Sequence, residues 1–147
     1  KKMAIRFKFK INASPETVFN AVTTQQGYQG WWSAVCDINC KINQFSSIRF
    51  EKEHIIEEMR FKTIEVKKNE KLVWLCTSNN VFESMINNTL SFEIKKTGKK
   101  SILSFTQNSS DTKWKKHSEH QQIIGGWDFF MASLKKYCET GKGEPWR

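Results

Sequence analysis

The side chains in this chain best suited to metal or nucleophilic chemistry are Cys36, Cys40, Cys76 and Cys138 with His117 and His120. Cys36 and Cys40 share one face of a strand if the period is two, and His117 and His120 stand at helical spacing. Those four would be enough to hold zinc. Tetrahedral zinc sites more often use tight pairs such as Cys-x-x-Cys, however, and none occurs here. The cysteines therefore read as structural thiols, and no metal or other cofactor is expected. Acid–base chemistry would draw on Glu119 and Asp128, which flank His120 on one terminal helix. The better reading of both is as solvated outer-face residues. A phosphate-cradling Gly-rich loop, a zincin pair and a nucleophile elbow are all absent, so no catalytic residue is assigned.

Aromatic residues give a more productive line. The chain of 147 residues contains eleven Phe and six Trp. Phe7 and Phe9 alternate with Arg6, Lys8 and Lys10, a wording that fits a stacking platform for single-stranded nucleic acid. Alternation puts those rings on the face opposite the charges, whereas a platform needs both on one surface, and nucleic acid is accordingly disfavoured. The better reading is a ligand cavity with large apolar walls. Phe50, Phe61, Trp74, Phe92 and Phe105 come to it from strands, and Ile123, Trp127, Phe130 and Met131 from the helix that would face them. Trp32 and Trp114 lie near segment ends, where they would guard the mouth. The competing reading is a filled core, because burial alone predicts the same residues.

The elements that must position these side chains follow from periodicity. A first strand runs over about Met3 to Ile11, and Ser14, Pro15 and Glu16 then supply an N-cap, a first helical residue and a dipole-matched acid. Val18, Phe19 and Val22 give that helix a core stripe, and a second short helix covers Gln26 to Trp32. From Cys36 to Gln107 the period is mostly two. Its phase changes between Phe61 and Ile64, which predicts a bulge in a curved sheet. Leu72, Trp74 and Cys76 alternate with Val73 and Leu75, so that strand is expected to be buried on both faces. From about Ser118 to Glu139 the steps become three and four, giving a long amphipathic helix that ends near Gly141. Gly125 and Gly126 inside it each cost roughly 1 kcal/mol against Ala. A close backbone approach to the sheet or to a ligand would offset that cost.

In this order the segments resemble a known family. Ile11-Asn12-Ala13-Ser14-Pro15-Glu16-Thr17-Val18-Phe19 resembles the opening of the activator-of-heat-shock-protein-90-ATPase-like branch of the SRPBCC (START-related) superfamily. Gly30-Trp31-Trp32 is similar to its tryptophan pair, and Glu70-Lys71-Leu72-Val73-Trp74 to its central strand. Gly125-Gly126-Trp127, with Leu134 and Tyr137 through Pro145, resembles its terminal helix and tail. The resemblance implies an α+β helix-grip fold: a curved antiparallel sheet wrapped around a long C-terminal helix, with two short helices after the first strand. It implies one such domain over residues 1–147, with a cavity between sheet and helix. Relatives in the wider superfamily bind lipids, hormones and polyketides, and a few are enzymes. Nearer members resemble the C-terminal domain of a co-chaperone.

Twenty-four Lys and Arg against fifteen Asp and Glu leave a net charge of +9. This charge favours acidic partners, although it falls on strand backs and turns (Lys67, Lys68 and Lys71; Lys95, Lys96, Lys99 and Lys100) and not in one run. No apolar run approaches the length of a membrane span. With no secretory signal ahead of the first strand, a cytoplasmic protein with reduced thiols is expected. The expected function is non-catalytic binding of a hydrophobic or amphipathic small molecule or lipid. A co-chaperone-like module meeting an acidic protein partner is the first alternative, and a small-molecule enzyme using the same pocket is the second.

Overall fold

The computed structural model describes residues 3–109 and 117–147; Trp114 lies outside the described residues. Strand β1 (Met3–Ile11) is followed by helices α1 (Pro15–Thr23) and α2 (Gln25–Trp31). Strands β2 (Val35–Asp37), β3 (Phe45–Lys52), β4 (Ile55–Lys67) and β5 (Lys71–Asn79) come next. A single 3₁₀ turn at Glu83–Met85 precedes β6 (Thr89–Thr97) and β7 (Lys100–Ser109), and helix α3 (His117–Thr140) closes the series.

Local chemistry accounts for the first turn into helix. Ser14 Oγ accepts from the Thr17 amide at 3.2 Å and Pro15 takes the first helical position, satisfying one orphan donor and sparing another. Thr24 ends α1 and caps α2, accepting from the Gly27 amide at 3.0 Å. Helix α2 lies hard against α3: a Cβ at Gly30 would stand 2.2 Å from the Tyr137 ring, so only glycine allows this packing.

The seven strands form one antiparallel sheet in the order β1-β7-β6-β5-β4-β3-β2. The expected bulge is present. The β4–β5 register shifts between Arg60 and Phe61 and again between Thr63 and Glu65, the kind of irregularity that bends a strand and increases its twist. Strand β5 is buried on both faces at Leu72, Val73 and Trp74. Strand β2 is shorter than the alternation of Cys36, Ile38 and Cys40 suggests: it ends at Asp37, and Ile38 and Cys40 follow it outside any ladder.

The core lies between this sheet and the helices. Tyr28, Trp74 and Phe61 stack in succession, with ring centroids 5.0 and 4.9 Å apart and planes 18° and 14° from parallel. Trp127 of α3 reaches Phe105 at 4.5 Å and Trp32 at 5.1 Å, which seats the long helix on the sheet. Of the two roles expected for Gly125 and Gly126, a close approach to the sheet is not theirs: a Cβ at either would meet nothing within 4 Å.

Candidate functional site

Three segments leave a gap in the packing at one end of the sheet. Phe50 and Glu57 sit directly opposite each other on β3 and β4, and Met59 follows two residues along on the same face. Loop residues Val81, Phe82 and Met85 form a second wall, and Gln122, Ile123, Gly126, Trp127 and Phe130 of α3 form the third. Trp32 and Trp146 complete an open cavity of about 230 Å³. Among the described residues its lining is apolar apart from Glu57 and Gln122.

Hydrogen bonds hold these walls in place. Trp127 Nε1 donates to Gln107 Oε1 at 2.7 Å, Gln107 Nε2 to Asn88 Oδ1 at 3.0 Å, and Asn88 Nδ2 to the Ser84 carbonyl at 3.1 Å. This buried chain ties helix, sheet and loop together, and each buried member has its partner. Glu119 extends it by accepting from the Ser84 amide at 3.1 Å and from the Ser84 hydroxyl. The C-terminal tail is strapped across the far side. The Trp146 amide donates to the Trp32 carbonyl at 2.8 Å, its carbonyl accepts from the Ala34 amide at 3.1 Å, and its ring meets Phe50 edge-on at 5.9 Å.

Of the residues singled out from sequence, Trp32, Phe50, Ile123, Trp127 and Phe130 line this cavity. Phe61, Trp74, Phe92 and Phe105 are fully buried behind it, packed ring against ring, and Met131 is buried on the inner face of α3. The aromatic set thus divides: Phe61, Trp74, Phe92 and Phe105 fill the core under the sheet, and Trp32, Phe50, Trp127 and Phe130 border the open space at its end. Sequence reasoning missed Glu57, Val81, Phe82, Met85, Gln122 and Trp146 as lining residues, and singled out Gly126 only for its helix cost. Met59 was legible only as an inward strand position. The loop has no period, and Trp146 lies beyond the last periodic segment.

The remaining candidates fall elsewhere. Glu119 is occupied by Ser84, and Asp128 is exposed on the outer face of α3. All four cysteines are free thiols. Burial pushes Cys36 and Cys76 up to about 11, and Cys40 and Cys138 up to about 12, so none is an activated nucleophile. Among the described residues, no group of three or more His, Cys, Asp or Glu is arranged to hold a metal ion. Arg6, Lys8 and Lys10 are exposed on the face of β1 opposite the half-buried Phe7 and Phe9, the arrangement that a stacking platform does not use. No helix among the described residues is long and apolar enough to cross a membrane.

A curved antiparallel sheet closed by a long terminal helix, with two short helices after the first strand, defines a helix-grip protein of the SRPBCC superfamily. Residues 12–139 match the model of the Activator of Hsp90 ATPase homolog 1-like protein family, and the chain belongs to that family. Its fold is similar to that of the Aha1 dimer of Colwellia psychrerythraea, with 26% identity and a TM-score of 0.75 over 96% of this chain and 99% of that one. Protein SSP2350 of Staphylococcus saprophyticus shares the fold at 18% identity and a TM-score of 0.74, covering 97% and 96% of the two chains. So does the AHSA1-like protein of Aeromonas hydrophila, at 12% identity and a TM-score of 0.72, covering 92% and 91%. No curated protein matches the chain in sequence.

Proposed function

We propose that this protein is a non-catalytic binding protein that holds a small hydrophobic or amphipathic molecule in the cavity between β3–β4, the 81–85 loop and α3. The observation that carries this reading is an apolar space of about 230 Å³ left open in an otherwise tightly packed aromatic core. Interiors are normally packed to the density of organic crystals, and an unfilled space forfeits the dispersion contacts of its walls. An apolar occupant restores them. The volume is just below the roughly 300 Å³ where drug-sized pockets begin, so the occupant is small or leaves part of itself outside.

Three of the lining residues are tryptophans, Trp32, Trp127 and Trp146, which makes intrinsic fluorescence a direct readout. Titration with 1-octanol is expected to change the emission saturably, with thermal stabilisation that rises with ligand concentration. A linear, non-saturating response without stabilisation would refute the binding reading. The second reading, a co-chaperone-like module, is supported by the description of the family and by the +9 charge. It predicts capture of an acidic protein partner that weakens steeply with salt; salt-independent capture counts against it.

A further inference from the structure

We infer that the cavity's occupant is an organic cation, an amine or quaternary ammonium with a short apolar tail, and that Glu57 is its counter-charge. This rests on the binding reading above and names the ligand class. Six aromatic rings line the cavity, those of Trp32, Phe50, Phe82, Trp127, Phe130 and Trp146. Aromatic faces carry negative charge density and attract cations, most strongly where water is excluded.

Among the described lining residues the ionisable one is Glu57, a half-buried residue paired with Phe50 across the β3–β4 ladder. Along β4 the face that carries it runs from exposed Ile55 to buried Met59 and Phe61, so Glu57 stands at the step from solvent to core. Its carboxylate makes no ion pair or hydrogen bond among the described residues. Lys52, on the same face two ladder pairs closer to the hairpin tip, does not bridge to it. No Lys or Arg lines the cavity beside Glu57 among the described residues, and a bound cation would supply the missing counter-charge.

The same geometry disfavours anionic lipids. A fatty-acid carboxylate in this cavity would lie beside Glu57, with no Lys or Arg among the described lining residues to offset the repulsion. Of the three lining indole N–H groups, that of Trp127 is committed to Gln107. The chain as a whole is strongly basic, so non-specific attraction favours anions. A preference for a cation would therefore run against the protein's overall field and must come from the site.

The test uses three ligands of one chain length, octyltrimethylammonium, 1-octanol and octanoate, titrated by tryptophan fluorescence against the full chain and its Glu57→Gln and Glu57→Lys variants. Thermal melts check that each variant stays folded. Octyltrimethylammonium is expected to bind roughly tenfold tighter than 1-octanol, about 1.4 kcal/mol, with octanoate weakest. Glu57→Gln should remove most of that advantage, so that the ratio of octyltrimethylammonium to 1-octanol affinity within that variant falls toward one, and Glu57→Lys should reverse the order of the two ions. If 1-octanol binds but the cation binds no better, the ligand class is wrong and the cavity reading stands. A cation preference that survives in Glu57→Gln overturns the role of Glu57. If none of the three binds, both the cavity reading and this inference fall.

Discussion

Gly126 combines two properties that substitution can separate: it is a helix-interior glycine and it lines the cavity. Glycine in a helix interior costs about 1 kcal/mol relative to alanine. At Gly126 the added Cβ would meet nothing within 4 Å, so no steric cost is subtracted from that gain. Gly126→Ala should therefore stabilise the unliganded protein by about 1 kcal/mol, which for a domain of this length raises Tm by about 4 °C. Gly125→Ala should do the same, because its Cβ is equally unobstructed. The leucine variants divide the two sites. Gly126→Leu places an isobutyl group in a space of only about 230 Å³ and should weaken 1-octanol binding roughly tenfold while keeping the melting temperature at or above that of the parent. Gly125→Leu, one residue round the helix and outside the lining, should leave binding intact. Circular-dichroism melts and tryptophan titrations of the four variants decide the matter. A fall in Tm for Gly126→Ala would refute the steric argument, and unimpaired binding by Gly126→Leu would refute the location of the site.

Other consequences can be checked independently. Gln107→Leu strands the Trp127 indole N–H and the Asn88 side-chain oxygen in a buried setting; at about 1–3 kcal/mol for each unsatisfied group, urea unfolding should show a total loss of about 3 kcal/mol. Thiols pushed up to about 11 or 12 hold on the order of one thiolate in a thousand or fewer at pH 8. Ellman's reagent should label the native protein slowly and the urea-unfolded protein at all four cysteines, and rapid stoichiometric labelling of the native form would contradict their burial. The Asn12 amide at 2.7 Å, and then Lys135, hold the Glu139 carboxyl below the usual carboxylate range. Because the folded-state pKa is the depressed one, this contribution is complete above the unfolded carboxylate range and is lost as pH falls through the folded value. Glu139→Gln should cost about 1 kcal/mol at pH 7, discounted for solvent exposure, and progressively less as the pH drops below about 4, as urea midpoints across that range would show.

Much of the architecture was legible because periodicity is a local property. Period two from Cys36 onward, period 3.6 after Ser118, the Ser14-Pro15-Glu16 start and the phase change after Phe61 each depend on neighbours within a few residues. They led to the strands, the two short helices, the bulge and the long closing helix that the structure contains. Inward-facing aromatics were legible for the same reason. What periodicity has no means to tell is whether an inward side chain meets another side chain or a void. Phe50 faces the cavity while Phe61, Trp74, Phe92 and Phe105, read from the same pattern, pack against one another. That difference is set by how far the sheet curves and where α3 crosses it, which are sums over contacts distant in sequence. Glu57 reads locally as one acid among several in a polar hairpin, and only the β3–β4 register sets it opposite Phe50. Trp146 reads as a tail residue until the tail pairs beside Trp32. The sequence by itself determined the elements, their amphipathic faces and the family. The tertiary structure alone decided where the core stops being full, because packing density is a property of the assembled layers and not of any one of them.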